Sequence, residues 1–109
     1  MSYANLEQSE NGYLLDTSDW SEDIAGEIAA VEDLAPLNAR QWDVINFLRD
    51  EYFSNNQHQP NERAMVKAMS EKWGEKFSTK GLYELFPMQP SKQAAKIAGL
   101  PETKRKGGY

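Results

Sequence analysis

The chain has 109 residues, 39% of them hydrophobic and 27% charged, with a net charge of −5. Those values suit one globular domain with a modest core and argue against wholesale disorder. There is no cysteine and a single histidine, His58, which excludes disulfides, thiolate nucleophiles, CxxC redox motifs and Cys-ligated metal sites. A Ser/His/Asp triad would need His58, which lies in the polar stretch "NNQHQP" and reads as a solvated loop residue. No metal site and no cofactor is expected.

No window is apolar enough to span a bilayer, and residues 1–20 lack a signal-peptide pattern, so a cytoplasmic location is expected. Charge is unevenly placed. Residues 1–61 hold two arginines against twelve acidic side chains, net −10, whereas residues 62–109 hold ten basic against five acidic, net +5. Such a chain can show a basic face to an anionic partner, or its halves can attract each other within one fold.

In chain order, residues 1–12 are polar and end in the turn signal Asn11-Gly12, and Tyr13-Leu14-Leu15 can form a short strand. A small β-hairpin within about residues 1–20 is therefore expected, packed on helices because a lone hairpin is marginal. In "SEDIAGEIAAVEDL", Ser21 can cap a helix whose first turn carries Glu22 and Asp23, with Ile24, Ile28 and Val31 on one stripe. The stretch "LNARQWDVINFLRDEYF" is the strongest helix signal. Asn38 and Gln41 match a capping box, and Trp42, Ile45, Leu48 and Tyr52 recur at helical spacing, widened by Val44 and Phe47.

Pro60-Asn61 restarts the chain, and Met65, Met69 and Trp73 lie four apart, a spacing that reads as core rather than as a ligand box. Gly74 weakens that helix at the lysine-rich bend "SEKWGEKFSTKG". A short helix through Leu82, Tyr83 and Leu85 stops at Phe86-Pro87. Pro90-Ser91 opens a last helix of residues 91–98, and Gly99 is placed to end it in the left-handed conformation. Trp42, Trp73 and Phe86 are assigned to the core, and Trp20 to packing under the N-terminal segment. The expectation is a mainly α, small domain of four to five helices over residues 1–101, with connections too irregular for a simple up-down bundle, followed by a mobile basic arm, "ETKRKGGY", over residues 102–109.

Five segments in unbroken order, "GYLLDTSDW", "WDVINFLRDEY", "VKAM", "LYELFP" and "KQAAKIAGLP", closely resemble the DsrC/TusE family of sulfur-relay proteins across roughly residues 11–101. The resemblance implies an orthogonal helical domain with an N-terminal hairpin and a mobile arm whose next-to-last cysteine carries sulfur. In the DsrC branch a second cysteine lies in the last helix; TusE-like members have only the arm cysteine and pass sulfur toward thiolation of a tRNA wobble uridine. On this chain the helix cysteine falls on Ala95 and the arm cysteine on Lys106. The Lys-Pro usual after Leu-Pro is Glu102-Thr103, and the glycine between the two prolines is replaced in "FPMQP".

Persulfide transfer needs a thiolate that attacks and then holds sulfur, and neither lysine, alanine nor methionine can do this. Three functions follow. The first is a non-catalytic binding or regulatory module for proteins of a sulfur-relay or sulfite-reductase-type system, using Arg63, Lys92, Lys96, Lys104, Arg105 and Lys106. Arg63 is where the resemblance implies an arginine near the arm's docking groove; an ion pair with Glu62 or Glu71 is its plain alternative, and a solvated tail is that of the arm. The second is DNA or tRNA binding through a helix-turn-helix-like segment from Arg63 to Gly81, with Lys67, Lys72, Lys76 and Lys80 on phosphates. The third is a sulfur carrier of the family type, which requires cysteines that this sequence does not contain.

Overall fold

The computed structural model of the chain describes residues 3–56 and 58–101. Five helices follow two short 3-10 turns, Tyr3–Asn5 and Thr17–Asp19: α1 (Glu22–Val31), α2 (Ala39–Ser54), α3 (Glu62–Trp73), α4 (Thr79–Leu85) and α5 (Pro90–Ile97). Local chemistry explains where each starts. Ser21 Oγ accepts from the Ile24 amide at 3.2 Å, Asn61 Oδ1 from the Ala64 amide at 2.9 Å, and Ser78 Oγ from the Gly81 amide at 3.2 Å. At α2 the box is reciprocal, Asn38 with the Gln41 amide and Gln41 with the Asn38 amide, both 2.8 Å.

Helix α5 starts differently. Gln89 has φ 59° and no capping side chain, Pro90 fills the first turn, and the Ser91 amide donates to Glu62 Oε2 of α3 at 3.0 Å. A carboxylate from another helix thus caps it, which ties α5 to α3.

Helix α5 is the centre of the domain and packs against each of the other four helices. Ala94, Ala95 and Ala98 let neighbouring helices approach closely, and Ile97 and Leu100 are fully buried with them. The rest of the core comes from Ile24, Ile28, Val44, Ile45, Leu48, Met65, Met69, Leu82 and Phe86. Burial of these side chains supplies the driving force, roughly 1.5–3 kcal/mol for each large one before conformational entropy is charged against it.

Three expectations need correction. Among the described residues there is no strand. Gln8 and Leu14 form a single antiparallel bridge, held by Ser9 N to Tyr13 O at 2.8 Å and Leu15 N to Glu7 O at 3.1 Å around the Asn11-Gly12 turn. The pairing goes no further because residues 3–12 have no period-two apolar face; Tyr3, Tyr13 and Leu14 instead bury as single anchors. Val31, expected on the α1 stripe, is 64% exposed, since α1 ends there and Glu32 turns back toward α5. Trp20 packs at the core's edge and also reaches α5, donating from Nε1 to the Ile97 carbonyl at 2.8 Å. Phe86 is fully buried as expected, whereas Trp42 and Trp73 are half-buried at the core's edge, with Trp73 Nε1 donating to Asp43 at 2.8 Å.

Candidate functional site

The described residues end at Pro101, just past the C-terminal end of α5. A helix ends with four carbonyls that lack intrahelical partners, and here each carbonyl from Ala94 to Ala98 is accounted for. Ala94 O accepts from the Ala98 amide, Ala95 O from Leu100 at 3.0 Å, and Lys96 O from Gly99 at 3.1 Å, with Gly99 at φ 74°. That is the left-handed turn expected at Gly99. The next carbonyls are taken by side chains from elsewhere: Ile97 O by Trp20, Ala98 O by Arg49 Nη1 at 2.7 Å and Pro101 O by Gln59 Nε2 at 3.1 Å.

Arg49 is gripped on its faces. Its guanidinium carbon lies 3.8 Å from the Trp20 ring centroid and 4.9 Å from that of Phe53. Burial pulls its pKa below the ordinary arginine value, and its partner is the negative end of the α5 dipole rather than a carboxylate. Beside this exit a cleft of about 420 Å³ is lined by Glu10, Tyr13, Leu14, Leu15 and Pro101 among others. Leu15 on its rim is 62% exposed, and Phe53 beyond Arg49 is 54% exposed.

A polar network braces another face of α5. Glu32 accepts from Lys96 Nζ at 2.9 Å and from Gln93 Nε2 at 3.0 Å, and Gln93 Oε1 accepts from the Met88 amide. Burial raises the Glu32 pKa, but these two donors outweigh it and hold the carboxyl below its usual range. Tyr13 donates its hydroxyl to the Lys92 carbonyl at 3.3 Å.

The structure separates the residues singled out in the sequence. Ala95 is 2% exposed within α5. Lys96 is committed to Glu32, and Lys92 is half-buried and forms no ion pair among the described residues. Arg63 is exposed in the first turn of α3 and pairs with neither Glu62 nor Glu71, since Glu62 caps α5 instead. Lys67, Lys72, Lys76 and Lys80 are exposed along α3, the bend and α4, and none forms an ion pair among the described residues. His58 is exposed, with Nδ1 3.1 Å from Glu51. Lys104, Arg105 and Lys106, with the rest of residues 102–109, lie outside the described residues.

Neither Arg49 nor Gln59 is marked by the sequence reading, which gives Trp20 a packing role only. One signal was present: Arg49 falls on the stripe of Trp42, Ile45 and Tyr52, so a charge interrupts an otherwise apolar face.

A helical body built around its last helix, whose C-terminal carbonyls are held from three other segments, defines a small mainly helical domain. The chain belongs to the DsrC-like family: the family model described as "DsrC like protein" matches residues 1–105. It is 47% identical over 98 residues to the sulfurtransferase TusE of an Escherichia coli strain, covering 89% of this chain and 88% of that protein. The solution structure of Allochromatium vinosum DsrC superposes with a TM-score of 0.80 at 38% identity, covering 90% of this chain and 87% of that one. The crystal structure of the oxidized gamma-subunit of the dissimilatory sulfite reductase (DsrC) from Archaeoglobus fulgidus gives 0.81 at 31% identity, covering 92% and 90%. No helix among the described residues is long and apolar enough to cross a membrane.

Proposed function

We propose that this protein is a non-catalytic binding or regulatory module of a sulfur-relay or sulfite-reductase-type system, one that docks to protein partners without carrying sulfur covalently. The observation that carries this reading is chemical. A chain with the family's scaffold has no sulfhydryl anywhere in 109 residues, and Ala95 and Lys106 stand where the resemblance places the two cysteines. An alkyl or ammonium group cannot accept sulfane sulfur and release it to the next thiol. The segment "ETKRKGGY" replaces a reactive end with a cationic one, suited to carboxylates on a partner; each exposed pair contributes only about 0–1 kcal/mol, so the folded face supplies most of the affinity.

The TusE relatives, named sulfurtransferases, favour a second reading as a sulfur carrier. One experiment separates the two. The protein is incubated with a persulfide-loaded donor and its intact mass is measured. The module leaves the mass unchanged; a gain of one sulfur atom, removable by a reducing thiol, establishes the carrier and overturns the module. Nucleic acid as a partner rests only on the exposed lysines, which share their helices with Glu71 and Glu84.

A further inference from the structure

We infer that Trp20, Arg49 and Gln59 are positioning residues that together fix the origin and direction of the C-terminal segment. This rests on the proposed docking function, which gives that segment its work. The left-handed turn at Gly99 already satisfies the carbonyls of Ala94, Ala95 and Lys96, and so suffices to end α5. The three further donors reach past that local cap. They come from the loop before α1, from α2 and from the α2–α3 connection, at separations of 77, 49 and 42 residues from their acceptors. They hold the carbonyls of Ile97, Ala98 and Pro101, three of the last five before residue 102.

Arg49 is itself preset, its stem in α2 and its guanidinium stacked on Trp20 and near Phe53, so little rotamer freedom is lost in making the bond. The Trp20 ring is pinned in turn against Gly99, where an added Cβ would lie 2.8 Å from Trp20 Cβ. A segment that starts from a fixed point beside the cleft has less freedom to lose when a partner takes it up, which lowers the entropic cost of association.

The test uses the full-length protein and three substitutions that remove a donor while keeping bulk: Trp20→Phe, Arg49→Met and Gln59→Leu. Backbone 15N order parameters report Gly99 and Leu100. A nitroxide on Thr103→Cys, unique because the chain has no other cysteine, reports by paramagnetic broadening where the following segment travels. The expected result is a fall at Gly99 and Leu100 from about 0.85 toward 0.6, with a broadening footprint that spreads from the amides around the cleft over much of the domain, while the amides of α2 and α3 stay ordered. Arg49→Lys, which restores a donor to Ala98, is expected to recover most of the footprint. Unchanged order parameters and footprint in the Trp20→Phe/Gln59→Leu double variant, which keeps the Arg49 contact and folds even if Arg49→Met does not, overturn the inference, whatever happens to the melting temperature. The readout needs no partner, so it stands or falls separately from the docking function.

Discussion

Replacing Gly99 by alanine tests how tightly the end of α5 is built. Gly99 has φ 74°, a left-handed conformation that costs a residue with a Cβ about 1–2 kcal/mol. An ideal Cβ there would also lie 2.7 Å from Trp20 Cγ and 2.8 Å from Trp20 Cβ. Trp20 cannot swing clear without giving up its bond to Ile97 O and its stack on Arg49. Overpacking of this kind adds about 1–3 kcal/mol, which brings Gly99→Ala to roughly 3–4 kcal/mol, a large share of the 5–15 kcal/mol typical of a domain. For a chain of this size that lowers the melting temperature by roughly 12–32 °C. Gly74→Ala is the internal control, since its φ is 62° and nothing lies within 4 Å of the added Cβ. It carries the conformational cost alone, about 1 kcal/mol or roughly 4–8 °C. Thermal unfolding followed by circular dichroism measures both, and Trp20→Ala combined with Gly99→Ala closes a double-mutant cycle. Equal losses at Gly99 and Gly74, or strict additivity with Trp20→Ala, refute the packing account.

The pH dependence has a defined sign. Because Glu32 is held below its ordinary value of 4.5, its pairing stabilises the fold fully above that pH, and the contribution is lost as pH falls through the lower folded value. Glu32→Gln is therefore expected to destabilise the fold at pH 7, by about 1–3 kcal/mol for loss of a hydrogen-bonded charged group, and progressively less in acid, so the two stabilities converge as pH falls through the lowered Glu32 value; a constant difference across the range contradicts this. Ala95→Cys places a thiol at a position 2% exposed. Its reaction with an aromatic disulfide should be roughly a hundredfold slower in the folded protein than in denaturant if opening costs about 3 kcal/mol, and equal rates would show that the site is open. Met69→Ala, in the core, should cost about 2–5 kcal/mol, while Phe53→Ser, 54% exposed, should stay within about 1 kcal/mol of wild type in urea unfolding.

Features decided within a few residues were legible in the sequence. The caps at Ser21, Asn38 and Asn61 and the left-handed Gly99 all depend on side chains within one turn, and each is present. The missing strands are also local in origin, but the turn signal at Asn11-Gly12 was stronger than the flanks could honour, leaving one bridge. What could not be read was tertiary. Nothing near Trp20 in sequence indicates a partner 77 residues away, and nothing near Glu62 indicates that it caps a helix 29 residues on. Lysines 67, 72, 76 and 80 were chosen on charge alone, a property that fixes no partner, and they sit apart from the exit of α5 on α3, the bend and α4.

The fold and the chemistry of this family are held by different residues, which is why scaffold likeness transmits so little about function. Alanine and cysteine are both small residues at home in a core, so alanine at position 95 packs α5 against its neighbours without any thiol. Lysine at position 106 lies outside the described residues. The buried set therefore accommodates alanine at position 95, and 47% identity to a sulfurtransferase goes together with a sequence that contains no cysteine. The bonds from Trp20, Arg49 and Gln59 do not need a thiol either, yet they brace the root of the segment that would bear one.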